Sequence, residues 1–215
     1  MDEFVSERCK MVNEQIEGRG LHDPCLLSAF KSVPRHLFIP GEYRHYAYDD
    51  GPLPIGFSQT ISQPYIVALM THMLELKGSE HILEVGTGSG YQAAILSQLV
   101  SDVHTIELIP TLSAQSEKLL NELGYQNVHC HSADGSLGWP GAAPYEGIIV
   151  TAAAPSVPQE LLDQLAEGGR LVLPVGSGGY QDLMIWRKKN GEFTYRNSIG
   201  VAFVPLRGER GWKQY

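Results

Sequence analysis

The chain is predicted to form a doubly wound α/β fold on a mostly parallel sheet, preceded by a helical and irregular N-terminal extension. Three observations carry that prediction. From Gln63 to Pro174, short apolar runs alternate with amphipathic segments of helical period, the order expected of βαβ units. A glycine-rich turn, Gly86-Thr87-Gly88-Ser89-Gly90, lies between one such run and the segment that follows it. Asn190-Gly191 separates two further apolar runs and marks a hairpin near the end of the chain.

Each element has its own signal. Phe4, Val5, Met11, Val12 and Ile16 recur at roughly helical spacing over residues 3–18, and Gly18 with Gly20 ends the pattern. Asp23-Pro24, an N-cap followed by a first-turn proline, opens a helix to about Val33. Residues 34–63 hold Pro34, Pro40, Pro52 and Pro54 among Tyr43, Tyr46, Tyr48 and Phe57, which predicts irregular or short-strand structure. Helices follow at Pro64–Leu76, Tyr91–Leu99, Leu112–Leu123 and Pro158–Ala166. Seven strands are expected, at His81–Val85, Val103–Glu107, Asn127–His131, Gly147–Thr151, Arg170–Pro174, Asp182–Arg187 and Phe193–Val204. The last two form an antiparallel pair at one sheet edge.

Composition narrows the function classes. With 215 residues, 43% of them apolar and 19% charged, the chain suits a single globular domain. A net charge of -8, with no basic cluster longer than Arg187-Lys188-Lys189, argues against nucleic acid as a partner. Cys9, Cys25 and Cys130 are odd in number and form no CxxC pair, so free thiols in a cytoplasmic protein are the expectation. Neither a signal peptide nor a run of membrane-spanning length is present, so no membrane partner is expected.

The glycine turn sits where such sheets bind ligands, but a lone glycine turn is a weak signal. The dinucleotide pattern GxGxxG requires a third glycine at position 91, which is Tyr91. No Lys or Arg occurs between Ile82 and Glu117, whereas Glu84, Asp102, Glu107 and Glu117 do. Glu84, two residues before Gly86, would oppose a pyrophosphate. S-adenosyl-L-methionine carries no phosphate; it offers a sulfonium, an ammonium, a carboxylate and two ribose hydroxyls. Glu107, 21 positions after Gly86, stands where a carboxylate accepts from ribose hydroxyls. Asp134-Gly135 follows the third strand, where Asp134 can accept from an adenine amino group. A solvated strand end at Glu107 and a plain turn at Asp134-Gly135 are the simpler readings, and the coincidence of three features favours the cofactor.

The acceptor is expected at the end of the fourth strand, Val150-Thr151-Ala152-Ala153-Ala154-Pro155, which holds no carboxylate, Cys, Lys or obvious general base. An amine or hydroxyl must lose a proton before it is methylated. A carboxylate is already ionised and needs only placement and desolvation. Gln59, Thr60, Ser62 and Gln63, polar and uncharged, supply O–H and N–H donors for that task. On spacing alone, an N-cap for the Pro64 helix is the slightly better reading of Ser62.

The segments VPRHLF (Val33–Phe38), LPIGFSQTISQPYIVA (Leu53–Ala68), LEVGTGSGYQAAIL (Leu83–Leu96), PYEGIIVTAAAPSVPQELLDQL (Pro144–Leu165), GGRLVLPVG (Gly168–Gly176) and FVPL (Phe203–Leu206) occur in that order. Together they resemble the protein-L-isoaspartate (D-aspartate) O-methyltransferase family over nearly the whole chain. The glycine turn is shared by many methyltransferases; the QTISQP block with TAAAP is far more specific, and it reverses the reading of Ser62. The resemblance implies a class I S-adenosylmethionine-dependent methyltransferase fold. It implies a repair enzyme that esterifies the α-carboxyl of L-isoaspartyl, and more weakly D-aspartyl, residues of damaged proteins. S-adenosyl-L-homocysteine is the implied coproduct. Ser62 becomes the catalytic residue.

The implied cofactor contacts are Gln59, Thr60, Ile61 and Ser62, then Glu84, Gly86, Thr87, Gly88 and Ser89, with Glu107, Leu108, Asp134, Gly135 and Thr151. Substrate contacts are Thr60, Ser62, Ala152, Ala153, Val204, Pro205 and Leu206. Residues 1–63 are then a helical, substrate-covering segment, 64–176 the cofactor-binding core and 177–215 the edge strands and tail. A monomer without a metal is expected. One departure is Ser58, where many bacterial relatives carry glycine.

His129 and His131 alternate along one strand and face one side, as metal ligands could, but no third ligand joins them at useful spacing. They read as ordinary histidines. Ser89 lies in GSG, not in a GxSxG hydrolase elbow. The alternative function is methyl transfer to a different small-molecule or protein acceptor.

Overall fold

A computed structural model describes residues 4–177 and 179–213 of the chain. Helix α1 (Val5–Met11) continues into a wider π turn at Val12–Ile16 and a 3₁₀ turn at Glu17–Arg19, and Gly20, at φ 91°, stops it. The π turn brings Met11, Val12 and Ile16 together into the core, so the apolar spacing is one interrupted helix, not a regular one. Helix α2 (Pro24–Ser32) starts at Asp23, whose carboxylate accepts from the Cys25 and Leu26 amides, a cap worth about 1 kcal/mol.

The segment before the sheet resolves into two 3₁₀ turns and a hairpin. Strands β1 (Leu53–Gly56) and β2 (Gln59–Ile61) pair across the two-residue turn Phe57-Ser58, with Gly56 opposite Gln59. Both turn residues have positive φ, 53° and 57°, the sign that a type I′ turn demands at both central positions. Ser58 therefore occupies a left-handed position that favours glycine.

Helix α3 (Pro64–Met73), β3 (His81–Val85), α4 (Tyr91–Ser97), β4 (Asp102–Glu107), α5 (Pro110–Glu122), β5 (Val128–Ser132), β6 (Tyr145–Val150), α6 (Gln159–Asp163), β7 (Leu165–Val175), β8 (Gln181–Lys189) and β9 (Glu192–Val201) complete the order. The seven-stranded sheet runs β5-β4-β3-β6-β7-β8-β9. Neighbours from β5 to β7 are parallel, and β8 runs antiparallel to β7 and β9.

Two expectations about length are corrected. Helix α6 stops at Asp163 because Leu165 already pairs with Tyr145, so β7 begins five residues earlier than its apolar run. Strand β9 ends at Val201, not Val204. The Phe203 amide is drawn to Gln181 Oε1 at 2.7 Å, and residues 204–206 leave the edge to bond Ala153.

Strand alternation divides the core. Ile82, Val103, Ile149 and Val172 face α1–α5, while Leu83, Ile106, Ile148, Val150 and Leu171 face α6, the 133–143 segment and Leu206. No helix among the described residues is long and apolar enough to cross a membrane.

Candidate active site

The chain leaves β3 for β4 on one side and later returns to β6 on the other. Their carboxyl ends therefore open a crevice at the switch point, the usual ligand position in an open α/β sheet. Gly86, Gly88 and Gly90 there have φ of 100°, 52° and 86°, values glycine adopts at little cost. Gly86 has a second constraint, since a Cβ would run into Thr151 Oγ1. Thr151 donates its hydroxyl to Gly86 O at 2.6 Å and its amide to Val85 O at 2.9 Å, tying the end of β6 to the loop.

Two carboxyl groups support the loop. Glu107 is buried; its Oε2 accepts from the Gly88 amide at 2.9 Å and its Oε1 from the Ile109 amide at 3.0 Å. Each oxygen keeps a further lone pair for a hydroxyl donor. Glu84 is fully buried, and its Oε2 accepts from Thr105 Oγ1 at 2.6 Å. Thr105 lies 2.7 Å from Thr87 Oγ1; because its own proton points at Glu84, Thr87 is the donor of that pair. Glu84 Oε1 has no hydrogen-bond partner. Burial raises this carboxyl to about 8, opposed by the Thr105 hydrogen bond and reinforced by the Glu107 charge.

Three hollows adjoin one another, the first two at the loop. The first is lined by Thr60, Ile61, Ser62, Glu84, Gly86, Thr87, Gly88, Ser89, Thr151 and Phe203, among others. Gln59, Thr60, Gly86, Gly88, Glu107, Leu108, Gly135, Thr151, Ala152, Val204, Pro205, Leu206 and Arg207 line the second. The third lies beside Thr60, Ser62, Gln63, Thr151 and residues 200–204. Thr60 and Thr151 border all three, so the spaces meet at those two side chains.

A sulfonium cofactor fits this donor set. Glu84 lines the first hollow, and its orphaned oxygen suits an ammonium donor. Glu107 lines the second, beside a loop whose close approach requires glycine. Arg207 is the one basic side chain among the described lining residues of these hollows, which does not favour a pyrophosphate.

Two sequence-predicted residues stand apart from the lining. Asp134 Oδ1 accepts from the Ser136 amide and hydroxyl, and its Oδ2 from the Glu209 amide at 2.7 Å, so its carboxylate anchors the tail. Ala153 is buried; its amide donates to Val204 O, and its carbonyl accepts from the Leu206 amide and Trp212 Nε1. Helix α3 is capped by Gln63 with no side-chain hydrogen bond, so Ser62 does not serve as the N-cap. Ser62 is half-buried and borders the first and third hollows.

Sequence reasoning missed Phe203 and Arg207, which reach the site only because the tail folds back; nothing local signals that return. Val67 and Met70 were missed too, although their spacing on α3 places them on one helix face. Tyr91, in place of a third glycine, is buried between the edges of Phe30 and Phe38, with the Arg35 guanidinium 4.9 Å from its ring centre. Burial lowers Arg35 to about 10. Helix α4 is thereby fixed to the N-terminal extension.

The family model described as Protein-L-isoaspartate(D-aspartate) O-methyltransferase matches residues 6–211. A protein-L-isoaspartate O-methyltransferase of Trichlorobacter lovleyi is 54% identical over 214 residues, covering 99% of each chain. One from Nitrosococcus oceani is 56% identical over 193 residues, covering 89% of this chain and 88% of its own. A solved protein-L-isoaspartate O-methyltransferase superposes with a TM-score of 0.87 at 28% identity, over 95% of this chain and 67% of that one. A Plasmodium falciparum structure in complex with S-adenosyl-L-homocysteine shares the fold at a TM-score of 0.81 and 24% identity, over 93% and 98% of the two chains. With its family model spanning nearly the full length and relatives above half identity, this chain belongs to the protein-L-isoaspartate (D-aspartate) O-methyltransferase family.

Proposed function

We propose that this chain esterifies the free α-carboxylate of L-isoaspartyl residues, and more weakly of D-aspartyl residues, in damaged proteins and peptides. The ester then closes to a succinimide, which reopens partly to normal aspartate, so the net outcome is repair. The observation that carries this reading is the meeting of the three hollows at Thr60 and Thr151. The third hollow, beside Ser62, is lined by no acid and no base among the described residues.

Bound S-adenosyl-L-methionine supplies an electrophilic methyl group on its sulfonium. Glu84, Glu107 and the glycine loop are the residues to hold it, with Gly135, Leu108 and the Gln59–Ser62 block around it. Ser62 and Thr60 donate hydroxyl hydrogen bonds to the acceptor carboxylate and fix which oxygen faces the methyl group. No base is required, because the nucleophile arrives ionised. Neutral donors suit a reaction whose opposite charges cancel in the transition state, since a strong fixed charge would favour the separated ions. The hairpin residues 51–63 and Val204–Leu206 cover the site and exclude water. Ala152, small and on the lining of the second hollow, leaves room for a peptide backbone.

In this reading residues 64–176 form the catalytic core, with 1–63 and 177–215 as coverings of one unit. It acts as a monomer in the cytoplasm, consistent with free thiols at Cys9, Cys25 and Cys130.

The test uses methyl-labelled S-adenosyl-L-methionine with matched aspartyl and isoaspartyl peptides. Label released as methanol in mild base, dependent on the isoaspartyl linkage, is the expected result. Alkali-stable label, or equal labelling of both peptides, would mean another acceptor.

A further inference from the structure

At the opposite end of the sheet, three histidines converge on one carboxylate and a fourth, His131, lies behind them. His81 opens β3, Asp102 and His104 lie on β4, and His129 and His131 lie on β5. Parallel register sets His81 beside Asp102 and His104 beside His129, and strand alternation turns all five side chains to the same face. His129 and His131 do not themselves form the ligand pair; β3 and β4 instead bring His81, Asp102 and His104 together.

The hydrogen-bond pattern calls for a positive centre beside Asp102. His81 Nε2 lies 2.7 Å from the Ala142 carbonyl, which can only accept, so that nitrogen carries the ring proton. In the neutral ring, His81 Nδ1 is then a bare lone pair. It faces Asp102 Oδ2, another acceptor, at 2.6 Å. His104 Nε2 approaches the same oxygen at 3.2 Å, and His129 Nε2 approaches Asp102 Oδ1 at 2.7 Å. His81 Nδ1 and Asp102 Oδ2, two acceptors this close, repel unless a positive centre lies beside them. One ring nitrogen each of His81 and His104 and one Asp102 oxygen fall within 4.8 Å of one another.

We infer that His81, His104 and Asp102 form a binding site for a divalent transition-metal ion of the zinc class, with water or His129 completing the coordination. Two imidazoles and a carboxylate are the borderline donors such ions select over calcium or magnesium. Tetrahedral zinc, with bonds of about 2.0–2.1 Å, sets its ligands about 3.3 Å apart. The His104 pair is already there, and the His81 pair has to open by about 0.7 Å.

The surroundings are those of a pre-oriented site. Each ligating ring is held from behind at its other nitrogen, His81 by Ala142 O and His104 by His131 Nε2 at 2.8 Å. Tyr145 stacks on His81 with ring centres 4.9 Å apart, and Trp139 stacks on His131 at 4.0 Å. The three ligand side chains are 15–29% exposed, enough for an ion to enter from solvent. His81 stands five residues before Gly86, so about 16 Å of strand separates this cluster from the cofactor loop. The ion staples β3 to β4 and takes no part in methyl transfer.

The test is equilibrium dialysis of the metal-stripped full chain against zinc chloride, followed by elemental analysis, with melting temperature as a second readout. The wild type retains one zinc ion per chain, and its melting temperature rises by roughly 5 °C at a hundredfold excess over Kd. Magnesium and calcium chlorides produce neither effect. Asp102→Asn loses the ion and the shift. His81→Asn, at a partly exposed side chain, loses them while folding and methylating as before. Cys25→Ser and His22→Asn keep both. Wild type that retains no zinc, or His81→Asn that retains as much as wild type, would overturn the inference and leave a shared proton as the positive centre.

Discussion

Glu107 Oε2 accepts the Gly88 amide at 2.9 Å, so the carboxylate that ends β4 sets the conformation of the loop that ends β3. The same group holds the Ile109 amide, which caps the start of α5. One side chain therefore orders two segments before any ligand binds. Glu107→Ala leaves both amides without an acceptor. The expected cost is about 2–3 kcal/mol of stability and at least a tenfold loss of affinity for S-adenosyl-L-homocysteine, read by denaturant titration and calorimetry. Affinity within twofold of wild type would remove Glu107 from the cofactor site.

Glu84 couples the site to pH. Its carboxyl is raised from 4.5 to about 8 by burial, so the folded chain keeps a proton that the unfolded chain releases. The stability this group contributes is complete below about pH 4.5 and is lost as pH rises toward 8. Glu84→Gln, which mimics the protonated form, should flatten that decline in the ligand-free protein. It should also weaken S-adenosyl-L-homocysteine by about tenfold or more, the value of a hydrogen bond to a charged group. Calorimetry at pH 7 in buffers of different ionisation heat should show proton release on binding to the wild type. No buffer dependence would mean that Glu84 does not meet the ammonium.

Ser62 borders both the first and the third hollow and caps no helix. Ser62→Ala removes one charge-assisted donor to the acceptor, about 1.5–3 kcal/mol, or about ten- to a hundredfold in turnover. Affinity for S-adenosyl-L-homocysteine should stay within about threefold, since the loop contacts are untouched. Unchanged turnover on an isoaspartyl peptide would end its catalytic assignment.

The tail is keyed to the sheet by Gly208, where φ is 131° and a Cβ would run into Asp134 Oδ1. Gly208→Ala should displace Glu209 and Arg210 from Asp134 and Ser136. The Val204–Leu206 cover then loosens. A higher KM for peptide and a lower melting temperature are expected, while Asp134→Asn, which keeps the shape, should have the milder effect. Equal KM values for Gly208→Ala and wild type would show that the tail does not order the substrate side.

Ser58, at φ 57° in the two-residue hairpin turn, carries left-handed strain. Ser58→Gly relieves about 1–2 kcal/mol and adds about 0.5–1 kcal/mol of unfolded-state entropy. A net gain of about 0.5 kcal/mol is expected in chemical denaturation, and a loss would place the strain elsewhere.

The sequence by itself determined the order of strands and helices, the Asp23 cap, the glycine loop and the polar block at Gln59–Gln63. Those depend on period, on φ preference and on side-chain chemistry within a few residues. The QTISQP block and TAAAP also made the family legible, and Gln59–Gln63, Thr151 and Ala152 among those residues border the hollows. Tertiary structure alone decided that Thr60 and Thr151 border all three hollows, that Asp134 holds the tail and that Gln63, not Ser62, caps α3. It alone assembled His81, Asp102 and His104 from two separate strands, and turned β9 away at Val201. The physical reason is common to all of these. Parallel register and the return of the tail join residues far apart in the chain, and no local pattern of burial or charge records which strand will lie beside which.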